Sequence, residues 1–160
     1  MDRQRFTTQI ERHQKTVRRF LTALCCGDGA LADDLAQDTF VKAYMKCGDL
    51  REEGKFLAWI YRIAYNTYIG SRRNPFRFAS IETAENERSV EYADSAFEYQ
   101  DLYRCLNRLS EKERCAILLY YMQGYSINEI SVVTDSTADA VKQLLSRGRR
   151  HLKELLDNAL

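Results

Sequence analysis

Apolar residues recur along most of this 160-residue chain at the three- and four-residue steps of an amphipathic helix. Phe6, Ile10, Val17, Phe20, Leu21 and Leu24 form one such stripe, predicting a helix over residues 4–26 that Gly27-Asp28-Gly29 closes. A second helix is predicted from Leu31 to Cys47, burying Leu35, Ala36, Phe40, Ala43, Tyr44 and Cys47, with Gly48 and Asp49 as its stop. After a polar loop, Asp49 to Lys55, a third helix covers residues 55–73 on a core stripe of Phe56, Trp59, Ile60, Ile63 and Thr67. Asn74-Pro75 closes it, because a residue before proline avoids the α region. The helical period then fades and returns near Glu91, where a fourth helix runs to Arg108. Ser110-Glu-Lys-Glu113 reads as a capping box opening a fifth helix, which buries Cys115, Leu118, Leu119 and Met122 and stops at Gly124. A second box, Ser126-Ile-Asn-Glu129, opens a short helix to about Val133. Thr134-Asp135-Ser136 is a tight turn, and the last helix spans Thr137 to Asn158.

Composition narrows the class. One proline and seven glycines are too few for a β-sandwich that turns every 8–12 residues, so an all-α fold is expected. No apolar run approaches the roughly 20 residues that span a bilayer. The opening MDRQRFTTQIERHQ has no apolar export core, so a cytoplasmic location is expected. The five cysteines, Cys25, Cys26, Cys47, Cys105 and Cys115, form no C-x-x-C pair, and the two histidines, His13 and His151, lie far apart. That pattern predicts reduced, mostly buried thiols and no metal site. No nucleophilic triad, P-loop or glycine-rich dinucleotide loop is present, so neither an enzyme nor a cofactor is expected.

Charge is distributed unevenly beneath a net +1. Residues 1–73 carry net +4, residues 74–101 net −5, and residues 102–160 net +2. Two basic blocks around an acidic segment suggest two binding modules joined by a tether. In the last helix, Val141, Leu144, Leu145, Leu152, Leu155 and Leu156 share an arc of about 120°. Lys142, Gln143, Ser146, Arg147, Arg149, Arg150 and Lys153 occupy the other side, and residues 141–153 contain no acid. Such a face is either a solvated basic surface or, behind a short capped helix and a turn, the recognition helix of a helix-turn-helix. In the third helix, Tyr61, Tyr65, Tyr68 and Arg72 lie opposite the core stripe, and residues 54–73 also lack acids. Rings interleaved with cations suit unstacked bases, but the same tyrosines also suit packing on a neighbouring helix with only their hydroxyls wet. The second helix presents Asp34, Gln37, Asp38 and Val41, an acidic face suited either to solvent or to a basic protein partner.

Three motifs in order carry a family resemblance. Asp33-Asp-Leu-Ala-Gln-Asp-Thr-Phe-Val-Lys-Ala-Tyr44 resembles region 2.2 of bacterial sigma factors. Phe56-Leu-Ala-Trp-Ile-Tyr-Arg-Ile-Ala-Tyr-Asn66 resembles regions 2.3–2.4. Tyr125-Ser-Ile-Asn-Glu-Ile130, with Val141-Lys142 and Ser146-Arg-Gly-Arg-Arg-His-Leu152, resembles region 4.2. Their order and spacing are similar to those of the small extracytoplasmic-function (ECF) sigma factors, which lack region 1.1 and region 3. Three positions depart from the pattern: Gly70 where Asp is usual, Ala140 where Thr is common, and Gly148 where Ala is common.

The resemblance implies two helical domains, region 2 over residues 1–74 and region 4 over residues 99–160, joined by an acidic linker over 75–98. It implies a specificity subunit that binds core RNA polymerase and directs promoter recognition, melting and initiation. Asp34, Leu35, Gln37, Asp38, Phe40 and Val41 then match the surface and supports that bind the β′ coiled coil, with the β flap as a second contact. The loop Cys47–Lys55 and Asn66 match positions that hold a flipped base of the −10 element, near Lys55, Tyr61, Tyr65, Arg72 and Arg73. Lys142, Gln143, Ser146, Arg147, Arg149 and Arg150 match the helix that meets the −35 element. The linker is expected to thread the polymerase's RNA path, and its roughly 30 Å random-coil span must stretch to join two promoter elements. An anti-sigma partner that can hold the chain at the membrane is also implied. Two other readings of the same residues are a stand-alone helix-turn-helix regulator, which would dimerise and bind DNA unaided, and a helical adaptor that binds only proteins.

Overall fold

A computed structural model describes residues 1–73 and 100–159, and every described element is helical. The N-terminal half contains α1 (Arg3–Leu24), α2 (Gly29–Lys46) and α3 (Phe56–Arg72), with two 3₁₀ turns, Cys47–Asp49 and Glu53–Lys55, between α2 and α3. The C-terminal half contains α4 (Gln100–Asn107), α5 (Glu111–Tyr121), α6 (Ile127–Thr134) and α7 (Ala138–Ala159). The acidic segment 75–98 and the first turns of the helix expected from Glu91 lie outside the described residues.

Local chemistry accounts for the boundaries. Asp2 caps α1 through a bond from the Arg5 amide (2.8 Å), and Asp28 caps α2 through Leu31 (3.1 Å). The α1–α2 turn needs two residues at positive φ, Cys26 (φ 56) and Gly27 (φ 90). The Ser126–Glu129 capping box forms in both directions. The Ser110 box forms in only one. Ser110 accepts from the Glu113 amide, but the Glu113 carboxylate instead meets His151 Nδ1 on α7 at 3.0 Å. A long-range partner has taken the side chain that sequence assigned to a local cap. Asp135, at φ 51, makes the helix-turn-helix turn. Thr137 caps α7 through the Ala140 amide (3.1 Å).

The core runs through both halves. Val17, Phe20, Leu21 and Leu24 of α1 pack with Leu35 and Ala36 of α2 and with Ile60 and Ala64 of α3. The same buried cluster continues into Cys115, Leu119, Ile130, Val141 and Leu145. Two expected core residues are corrected: Tyr44 and Met122 are more than two-fifths exposed. Phe40 is half-buried beneath the Arg18 guanidinium, which also pairs with Asp33 at 3.0 Å. All five cysteines are free thiols, and burial pushes Cys25 and Cys115 up, away from thiolate chemistry.

Gly148 lies at a close approach of α7 to α5. A Cβ built there would lie 2.8 Å from Ile117 Cγ1 and 3.1 Å from its Cδ1, on a buried side chain. Glycine therefore costs α7 about 1 kcal/mol of helix propensity but permits the crossing. Overpacking at such a site costs about 1–3 kcal/mol. Gly148→Ala is thus expected to lower the melting temperature by a few degrees, and calorimetry reads the sign. A rise would mean that Ile117 moves aside freely.

Candidate nucleic-acid interface

Three surfaces are positioned by this arrangement. The first is the outer face of α7. Its apolar stripe, Val141, Leu145 and Gly148, is buried on α5 and α6, which turns Lys142, Gln143, Ser146, Arg147, Arg149 and Arg150 to solvent. Arg149 stands at the edge of that face. Its Nε donates to the Tyr121 hydroxyl at 2.5 Å, and its guanidinium lies 5.3 and 5.5 Å from the Tyr120 and Tyr121 rings. Sequence reasoning missed these tyrosines, since they end a different helix. Lys142, Gln143, Ser146, Arg147 and Arg150 form a continuous surface that carries donors and no acid.

The second surface is the outer face of α2. Gln37 and Val41 are exposed, and Asp34 and Asp38 are half-exposed. Leu35 is fully buried, so it belongs among the supports of this face rather than its contacts. Val41 (59% exposed) and Met45 (79%) add apolar area beside the acids.

The third surface lies around the α2–α3 loop and α3. Lys55, Arg62, Asn66 and Arg73 are exposed, and Lys55 meets Glu52 at 3.1 Å. A cleft of about 340 Å³ opens beside the loop, between Gly54, Phe56 and Leu57 on one wall and Gln9, Arg12 and His13 of α1 on the other. Asn66 stands ten residues along α3 from Phe56, about 15 Å of helix rise away. It is therefore not part of that cleft.

The tyrosine face of α3 differs from the expectation of exposed stacking rings. Tyr61 and Tyr68 are fully buried and Tyr65 is 4% exposed. The C-terminal half covers them. The Tyr61 ring meets Tyr125 edge-on at 5.5 Å, and its hydroxyl donates to Gln123 Oε1 at 2.9 Å. The Tyr68 hydroxyl accepts from Arg114 Nη1 at 2.8 Å. Arg72 donates to Glu111 Oε1 at 2.6 Å. Burial pushes all three phenols up, which holds them as neutral hydroxyls. In this arrangement Tyr61 and Tyr65 cannot stack on a base, and the packing alternative describes them.

Arg114 also links the halves, and no local pattern in the sequence points to it. Its guanidinium is buried and donates to the carbonyls of Leu106 (2.8 Å), Asn107 (3.3 Å) and Leu109 (3.2 Å) at the end of α4. It also donates to the carbonyl of Leu24 (3.0 Å), the last residue of α1. The final turn of α1 has no basic residue of its own. Arg114 therefore supplies, from the other half, both the hydrogen bond and the positive charge that a helix C-terminus favours.

The Sigma-70 region 2 family model matches residues 9–74, and the Sigma-70 region 4 model matches residues 99–152. The chain is 28% identical to the ECF RNA polymerase sigma-E factor of Haemophilus influenzae, over 99% of this chain and 89% of that protein. It is 32% identical to the RNA polymerase sigma factor SigZ of Bacillus subtilis, over 81% of this chain and 75% of that protein. The solved sigma factor RpoE of Bartonella quintana, in complex with the anti-sigma factor NepR, superposes with a TM-score of 0.75 at 25% identity, over 95% of this chain and 96% of that one. Two matched regions in order, with whole-length relatives of one kind, place the chain in the sigma-70 family as an ECF RNA polymerase sigma factor.

Proposed function

We propose a division of labour among the surfaces of this initiation factor. The α7 face Lys142, Gln143, Ser146, Arg147 and Arg150 enters the major groove of the −35 element. Phosphate contacts set its register, and Arg and Gln edges read bases. Arg149, held by Tyr120 and Tyr121, serves at the rim, where a preset guanidinium suits a phosphate. The α2 face, Asp34, Gln37, Asp38 and Val41 supported by Leu35 and Phe40, docks on the basic β′ coiled coil of core polymerase, and region 4 meets the β flap. Lys55 and the α2–α3 loop hold an unstacked −10 base, whose extrusion cost of a few kcal/mol is offset by pocket contacts, while Asn66 and Arg73, farther along α3, meet the neighbouring nucleotides. The relative RpoE is bound by an anti-sigma factor, and the same class of partner is proposed here.

The observation that carries this reading is the acid-free stretch 141–153 of α7, whose Lys142, Gln143, Ser146, Arg147 and Arg150 are exposed behind a capped α6. Run-off transcription with bacterial core polymerase across a promoter library tests it. Added protein is expected to move start sites to promoters sharing a −35 element. Without polymerase, the near-neutral chain is expected to show only weak, salt-sensitive gel shifts. Tight sequence-specific binding by the free chain would favour a stand-alone regulator instead.

A further inference from the structure

Helix α7 is fastened to the helix behind it on both flanks. Glu113, Ile117 and Tyr121 stand on successive turns of α5, at i, i+4 and i+8, and so form one ridge of that helix. All three meet α7 between Gly148 and His151. Ile117 lies against Gly148, where a built Cβ would also come within 3.8 Å of Glu113 Cβ. The Glu113 carboxylate meets His151 Nδ1 at 3.0 Å, and the Tyr121 hydroxyl accepts from Arg149 Nε at 2.5 Å. The Glu113 side chain is only 11% exposed, so its tie is largely shielded from water.

The two ties grip opposite sides of the contact. At about 100° per residue, Arg149 stands about 100° from Gly148 around α7, and His151 about 60° from it the other way. Lys142, Gln143, Ser146, Arg147 and Arg150 lie in the remaining arc, all exposed. A roll of α7 about its own axis would stretch one tie and crowd the other. The apolar stripe does not set that roll as finely. Apolar burial is non-directional, whereas a hydrogen bond weakens steeply once it is bent. A helix with its side chains is about 10–12 Å across, so a roll of about 10° carries a tip about 1 Å sideways. Hydrogen bonds to base edges hold only over N···O distances of about 2.7–3.2 Å.

We propose that Glu113 and Tyr121 are positioning residues for −35 recognition. By tying His151 and Arg149 to α5 they fix the roll of α7, and so decide how Gln143, Arg147 and Arg150 meet the bases. Glu113, buried behind α7, acts through His151, and Tyr121 acts through Arg149. The inference rests on the −35 reading of α7 given above. It adds that sequence preference is set in part from α5, a helix outside the recognition face.

Transcription from a library of −35 sequences, with each variant assembled on bacterial core polymerase, tests this. Tyr121→Phe keeps the ring beside Arg149 and removes the hydroxyl. Glu113→Leu keeps the bulk and removes the carboxylate. Each is expected to change the rank order of −35 sequences, with discrimination falling about three- to tenfold at one or more positions. Glu113→Gln retains an oxygen for His151 and should restore the wild-type order. Loss of stability alone lowers output equally on every promoter and leaves the order intact, and thermal melting of each variant measures it. Tyr121 is 60% exposed, so Tyr121→Phe should fold and carry the test even if Glu113→Leu does not. An unaltered order in Tyr121→Phe or in folded Glu113→Leu would overturn the inference, as would Glu113→Gln behaving like Glu113→Leu. A wild type that still selects a −35 element keeps the reading of α7 in those cases. A wild type indifferent to −35 sequence would overturn both.

Discussion

Arg114→Ala is expected to cost about 3 kcal/mol of stability, a fall in melting temperature of about 10 °C for a chain of this size. The buried guanidinium satisfies four carbonyls and one phenol, drawn from α1, α3 and the end of α4. Removing it leaves those acceptors facing a small cavity, and each buried orphan carries a penalty of about 1–3 kcal/mol before water enters. Arg114→Lys should recover little. A lysine keeps the charge, but its three donors on one nitrogen cannot reach five acceptors spread around a planar fork. Calorimetry on both variants checks this. A loss below about 1 kcal/mol in Arg114→Ala would show that the α1 and α4 ends find other donors. The same substitution should loosen the packing of the C-terminal helices on the N-terminal half, because two of the five acceptors, the Leu24 carbonyl and the Tyr68 hydroxyl, belong to that half.

Arg147→Ala and Asp38→Ala should fail in different ways. Each sits on an exposed or half-exposed helix face away from the buried core, so each should change stability by about half a kcal/mol or less. Arg147 stands in the acid-free stretch of α7, and losing one good base or phosphate contact is worth about 1–3 kcal/mol. Initiation from promoters with an intact −35 element should therefore fall about ten- to hundredfold, with core binding preserved. Asp38→Ala removes one carboxylate from the α2 face, so the deficit should appear in core affinity and be relieved by raising protein concentration. Quantitative transcription beside a core-binding titration separates the two. If both variants lowered only the melting temperature, the assignment of the α2 and α7 faces would be wrong.

Helix positions were legible because their causes are local. Asp2, Asp28, Ser110, Ser126 and Thr137 each accept a bond from an amide three residues on, which needs no knowledge of the rest of the molecule. The exposed face of α7 was legible for a related reason. A 22-residue helix with apolar and basic arcs can bury only one of them. The misplaced residues share a different cause. Tyr44 and Met122 are large side chains near helix ends, where the neighbour that would cover them is absent among the described residues. Glu113 left its expected cap because His151, 38 residues away, offered a partner from α7.

By itself the sequence determined seven helices among the described residues, the helix-turn-helix, an acidic face on α2 and a basic face on α7, since periodicity and caps act within a few residues. The tertiary structure alone decided which face of α3 is wet. Trp59 and Ile63 of the apparent core stripe are only half-buried, whereas Tyr61, Tyr65 and Tyr68 opposite them are covered. An amphipathic pattern ranks the two sides of a helix by polarity, and tyrosine is apolar enough to be buried and polar enough to be exposed. A second body therefore made the choice. Glu111, Arg114, Gln123 and Tyr125 come from α5 and the turn after it, and each gives a tyrosine or arginine of α3 a partner that no spacing within α3 could reveal.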